Sequence, residues 1–137
     1  MIEITTEAAR GVLKTVDAGL VSAAGERRVG KMCVEAAICY ALGLPHGDRP
    51  ECVDEAVIEF SIRLNDCPWS SPKNRAAGLR RLALAQLGSA GVIKGSDFSR
   101  AMVEHAIRRV LPISMRAAAQ DCPLDEACSL LHQAATQ

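Results

Sequence analysis

The sequence predicts an all-α fold, a single-domain bundle of five to seven helices around a buried central helix at Met32 to Leu42. Three observations carry this. Hydrophobic residues make up 49% of the chain but aromatics only 3%, so aliphatic and alanine side chains must fill the core, which suits close-packed helices better than a sheet. The stretch KMCVEAAICYALG holds one charge, Glu35, between Lys31 and Gly43, and a helix apolar on all sides is a buried helix. Caps, helical periodicity and glycine stops then recur in order along the chain.

Thr6 can cap a first helix from Glu7 to about Ala24, closed by Gly25. GERRVG leads into the central helix, which Gly43 ends. After LPHGDRP, Pro50 suits the first turn of a third helix. There Val53, Ala56, Val57, Phe60 and Leu64 share a face, and Glu51, Asp54, Glu55 and Glu59 turn mostly away. Cys67 to Ser71 read as a turn, with Ser71 capping a fourth helix and Pro72 at its first position, running to about Leu87. GSAGVIKGS, with three glycines and two serines, reads as a flexible linker at 90–96 between a core bundle (1–89) and a C-terminal helical segment (97–137). In that segment Ser96 caps a helix to about Leu111, Pro112 breaks or kinks it, and a last helix runs from about Pro123 to Ala135.

Lys plus Arg and Asp plus Glu are balanced at 16 each, so no net field draws the chain to nucleic acid or membrane. No segment reaches the roughly 18 apolar residues of a membrane span, and MIEITTEAAR lacks a signal-peptide apolar run, so a cytoplasmic location is expected. The six cysteines are then expected as reduced, mostly buried thiols.

Glu35 is the leading candidate for chemistry. A carboxylate inside an apolar helix must be paired, protonated or coordinated. The structural expectation is a buried pair with Arg63, Arg75, Arg80, Arg81 or His46; the functional one is a general base or ligand anchor. Cys33, Cys39, His46 and Cys52 are zinc-type ligands, but their spacing lacks the tight knuckles of structural zinc sites; Cys128 and His132, at i and i+4, share a face with Cys122 upstream, a pairing that ordinary helix packing often produces, so no metal is expected. Cys33 or Cys52 with His46 and Asp48 supplies the residue types of a nucleophile, base and orienting acid. Asp48 is expected instead to accept backbone N–H bonds near the third helix.

Trp69, Ser70, Lys73, Arg75, Arg80 and Arg81 form a candidate binding set, since hydroxyls, a helix N-terminus and guanidinium forks can hold an anion. The competing expectation is that this basic helix pairs with the acidic third helix. Trp69 is expected as a lid over the core edge, and His105 as a packed histidine beside Phe98, Ala101 and Met102.

Met32 to Ser89, with CVEAAICYALGLPHGDRPECV, LND, WSS and RRLALAQLGS in that order, resembles a family of small uncharacterised bacterial and phage-encoded proteins with no known activity. The shared block takes in Glu35, His46, Asp48, Cys52, Asn65, Asp66, Trp69, Arg80, Arg81 and Gln86. Arg49 and Pro72 depart from the family pattern. The resemblance implies a phage or bacterial defence setting.

These readings converge on a small cytoplasmic, non-catalytic protein that binds a macromolecular partner and needs no cofactor. A small enzyme or ligand-binding protein at Glu35, His46 and Asp48 is the first alternative, and a nucleic-acid binder through the fourth helix the second. A homodimer is expected, its interface including Phe98, Met102, Val110, Leu124, Leu130 and Leu131.

Overall fold

A computed structural model describes residues 3–120 and Gln133. The described residues are all-helical and contain no strand; extended pairing is limited to one antiparallel bridge between Gly25 and Met32. The chain divides into two compact units, Met1–Gly95 and Ser96–Gln137.

In the first unit α1 (Thr6–Asp17), α3 (Glu55–Asp66) and α4 (Pro72–Ala85) surround α2 (Val34–Ala41), which touches each of them. Every residue from Val34 to Cys39 is buried, as the apolar run requires, and Tyr40 is exposed. Ala36, Ala37, Ala76 and Ala83 let helix axes approach closely, while Val12, Val16, Ile38, Val57, Ile58 and Leu79 fill the space between them.

Helix ends follow local chemistry, with several corrections to the sequence reading. Thr5, not Thr6, caps α1 through Ala8 N at 3.1 Å. α1 stops at Asp17 instead of Ala24, because Gly19 takes a left-handed φ of 110° and the chain turns out into a loop. That loop is pinned by Leu20 N to Pro72 O (3.1 Å), Val21 N to Met32 O (3.0 Å) and Glu26 N to Lys31 O (2.8 Å). Gly25 lies inside it at φ 68°, where a Cβ would collide with Lys31 O.

Cys33 caps α2, its Sγ accepting from Ala36 N at 3.3 Å. Gly43 ends that helix in a Schellman turn, Leu44 N bonding Cys39 O (2.8 Å) and Gly43 N bonding Tyr40 O (3.2 Å). α3 begins at Glu55 rather than near Pro50, because Asp54 supplies the cap. Ser71 and Pro72 start α4 as the sequence predicts.

GSAGVIKGS is tied down where a flexible linker was expected. Buried Ser89 accepts from Asp54 N (2.9 Å), and Ala90 N donates to Cys52 O (3.2 Å), so this turn is stitched to the entry of α3.

Helix α5 (Gly95–His105) starts one residue before Ser96, which therefore sits inside the first turn and not at the cap. It passes through a π-helical turn (Ala106–Val110) into α6 (Leu111–Gln120). Pro112 neither ends nor interrupts the helix. Its ring would crowd the carbonyl four residues back, and the wider π turn, closed by Leu111 N to Ala106 O, lies where that conflict falls. His105 is exposed, not packed, and of the described residues in this unit only Ala119 is buried. Cys122, and Leu124, Cys128, Leu130, Leu131 and His132 of the expected last helix, lie outside the described residues.

Candidate functional site

Burial makes Glu35 the chemical centre of the first unit. It is 0% exposed, near the start of α2, and no arginine meets it. Gln86 Nε2, from the end of α4, donates to Glu35 Oε1 at 2.9 Å. The arginines expected there are engaged elsewhere or face solvent. Arg75 caps two carbonyls, Asn65 O (2.8 Å) and Leu20 O (3.1 Å); Arg80 pairs with Asp17 of α1 at 2.8 Å; Arg63 and Arg81 are exposed.

Among the described residues Glu35 Oε2, Ser61 Oγ and Gln86 Oε1 are buried without a full hydrogen bond. Burial pushes the Glu35 carboxyl up to about 7, and the charge of Asp48 adds to the rise. The Ser61 hydroxyl, outside full hydrogen-bond geometry but close to this carboxyl, pulls the other way, as does Gln86. Near neutral pH the carboxyl is therefore protonated in a large fraction of molecules.

A cavity of about 150 Å³ adjoins Glu35, lined also by Ala23, Cys33, Asp48, Asn65 and Asp66. The LND block at the end of α3 builds its wall. Asn65 Oδ1 accepts from Val34 N (3.2 Å), while Nδ2 donates to Val21 O and Asp66 Oδ1 (both 2.9 Å), and Asp66 Oδ1 also accepts from Ala23 N (2.8 Å). Ala23 is held at φ 56°, a left-handed conformation that costs a non-glycine residue energy.

Of the expected trio, Glu35 and Asp48 meet at this cavity and His46 does not. His46 is exposed, its Nε2 lying 3.1 Å from Gly25 O, beside a separate hollow of about 300 Å³ lined by Cys39, Leu44, Arg49 and Glu51. Asp48 does not cap α3, a role Asp54 takes. Cys52 is buried with its carbonyl held by Ala90 N. Burial raises the Cys33 thiol to about 11, the Cys39 thiol to about 12, and that of Cys52 as well, so none offers a thiolate near neutral pH. The described His, Cys, Asp and Glu residues form no group of three arranged to hold a metal ion, so Cys33, Cys39, His46 and Cys52 do not assemble as ligands.

The basic set on and before α4 is dispersed. Trp69 is half-buried, donates to Leu64 O at 3.0 Å and lies against Gly78, a lid on α4 as expected. Ser70 Oγ accepts from Asn74 Nδ2 (2.6 Å), and Lys73 is exposed. The expected pairing of α3 with α4 is also replaced: Arg49 meets Glu55 and Glu59 of α3, and Asp17 meets Arg80.

Sequence reasoning missed Ser61 and did not assign Gln86 to Glu35. A polar residue one turn after Val57 on the buried face of α3 was the available signal for Ser61. Comparison with family models, with curated proteins and with solved structures finds no match, so the chemistry rests on these residues. No helix among the described residues is long and apolar enough to cross a membrane.

Proposed function

We propose that this chain is a small non-catalytic protein that binds a macromolecular partner through the apolar side of its C-terminal unit, and that the partner is a second copy of the chain. One observation carries the reading: Val103 and Ile107 are each 59% exposed, and Val110, Leu111 and Ile113 are more than half exposed. Val103, Ile107 and Leu111 recur at i, i+4 and i+8, and across the wider π turn this four-residue spacing keeps them along one side of the helix.

A groove of about 450 Å³ runs beside Val103 and Ile107, bordered by Arg100, Glu104 and Arg108. Covering such a stripe releases ordered water, and a rim with both charge signs suits contact with an identical rim. An identical chain is also present at the same concentration. The raised thiols and the backbone-bound His46 speak for binding rather than nucleophilic catalysis. A cytoplasmic, phage or bacterial defence setting rests on the sequence alone.

Light scattering tests the reading. The intact chain is expected to be a dimer, and Ile107→Asp a monomer with unchanged helical circular dichroism. A monomeric wild type, or a variant that dimerises as wild type does, overturns it.

A further inference from the structure

The chain has a formal net charge of zero at pH 7, but its cations are not spread evenly. Of its four lysines, Lys14, Lys31 and Lys73 come from distant parts of the sequence and gather where the end of α1 meets the start of α4. Lys14 stands one turn before Ala18, the residue that closes α1. Gly30, the neighbour of Lys31, lies against Ala18, since a Cβ on it would sit 3.2 Å from Ala18 O. Pro72, the neighbour of Lys73, lies against Gly19 and accepts from Leu20 N at 3.1 Å. Two helices and a loop thus bring one lysine each to the same end of the bundle.

These three lysines are exposed, and none makes a side-chain hydrogen bond or ion pair among the described residues. The carboxylates that could neutralise them are taken. Asp17 pairs with Arg80 at 2.8 Å, Glu26 with Arg28 at 3.4 Å, and Asp66 accepts from Ala23 N in the adjoining loop. The lysines therefore remain as an excess of positive charge on one surface, with Arg28 and Arg80 beside them.

The chemistry of this surface decides what it fits. Its lysines line neither the Glu35 cavity nor the hollow at His46, so it suits an extended polyanion and not an enclosed small ion. Of the exposed large apolar side chains only Val29 belongs to these segments, which leaves a protein partner little to bury. An ammonium is a compact point charge that suits a phosphate oxygen, whereas carboxylate partners are met best by the arginine fork. An anionic lipid surface is held by clusters of about four to eight cations, more than the unpaired set offers. These segments hold no exposed aromatic side chain for bases to stack on, so the charge density of a duplex counts for more than the open bases of a single strand. We infer that Lys14, Lys31 and Lys73 form a docking surface for the phosphate backbone of duplex nucleic acid.

The test is titration of a short fluorescently labelled DNA duplex with the full chain, followed by anisotropy over a range of salt concentrations. The binding constant is expected to fall with salt along a logarithmic slope of about −3, one phosphate neutralised by each lysine. Lys14→Gln, Lys31→Gln and Lys73→Gln are each expected to weaken binding by about tenfold at low salt and to make that slope shallower by about one. Circular dichroism is expected to stay unchanged, because none of the three side chains makes a bond in the fold. Lys94→Gln, beside the start of α3 and outside this surface, is expected to bind as wild type does. A single strand of the same length, polyglutamate and phosphatidylserine vesicles are each expected to bind more weakly than the duplex. Absence of duplex binding, wild-type affinity in the three variants, an equal loss in Lys94→Gln, or tighter binding of any of those other polyanions would overturn the inference. The variants are compared on one chain under one set of conditions, so none of these outcomes depends on the oligomeric state.

Discussion

Gln86 Nε2 donates to Glu35 Oε1 at 2.9 Å, joining the end of α4 to the start of α2 across 51 residues of sequence. The two atoms left over, Glu35 Oε2 and Gln86 Oε1, are both acceptors while the carboxyl is ionised. A proton on Glu35 changes that. The acid O–H becomes a donor, with Gln86 Oε1 and Ser61 Oγ as the acceptors in want of one. The raised pKa and the unpaired oxygens agree: the neutral carboxyl fits this buried position better than the ion does.

Glu35→Gln should be tolerated and Glu35→Ala should not. Glutamine keeps the shape, an acceptor for Gln86 and a donor for the same neighbours, so a loss below about 1 kcal/mol is expected. Alanine leaves the Gln86 amide unanswered inside the protein and opens a void, together costing about 3 kcal/mol. Urea denaturation of the two variants measures the difference. Equal destabilisation would show that the carboxyl matters only as volume.

Gly78→Ala should destabilise the protein although alanine favours helices. A Cβ at Gly78 would fall on the six-membered ring of Trp69, whose indole N–H is anchored to Leu64 O at 3.0 Å and so has little freedom to retreat. Overpacking of this kind costs about 1 to 3 kcal/mol, more than the gain of about 1 kcal/mol in helix propensity. The chain has one tryptophan, so its fluorescence reports directly on the displaced ring. A higher melting temperature with an unchanged spectrum would refute this.

Much of the fold is legible in the sequence because its signals are local. The apolar run at Val34 to Cys39 dictates a buried helix, and Ser71 with Pro72 dictates a helix start. Failures occur where distant groups decide. α1 looks able to continue to Ala24, but the amides beyond Gly19 find partners at Pro72 and Met32. GSAGVIKGS has a linker's composition, yet Ser89 supplies a hydroxyl to Asp54 N, a bond 35 residues long in sequence that no composition rule anticipates. At the site, the isolation of Glu35 is visible at once. Its partner is not, because an amide at a helix end is as unremarkable in sequence as any surface glutamine.

The buried cysteines should be unreactive in the folded protein. Cys33, Cys39 and Cys52 are buried with thiol pKa values raised by burial, whereas Cys67 is exposed and its Sγ donates to Arg63 O at 3.4 Å. Alkylation near neutral pH, mapped by mass spectrometry, is expected to label Cys67 well before those three, and all of them after denaturation. Elemental analysis is expected to find no stoichiometric zinc. One zinc per chain, with Cys33, Cys39 and Cys52 protected until chelation, would restore the ligand set with His46.

Stability should fall as pH rises through neutrality, with Glu35 as the cause. Its folded pKa of about 7 lies above the ordinary 4.5. Between those values the folded protein holds a proton that the unfolded chain has released, so each step up in pH favours unfolding. The contribution is complete below about 4.5, declines as pH rises, and is lost above the folded value. A shift of this size corresponds to about 3 kcal/mol. Urea denaturation at about pH 5 and about pH 8 should therefore show a less stable protein at the higher pH. Most of that slope should vanish in Glu35→Gln, which has no proton to lose at this position. A wild type equally stable at both values, or a Glu35→Gln protein with the full slope, would place the titration on another group and leave Glu35 ionised and paired.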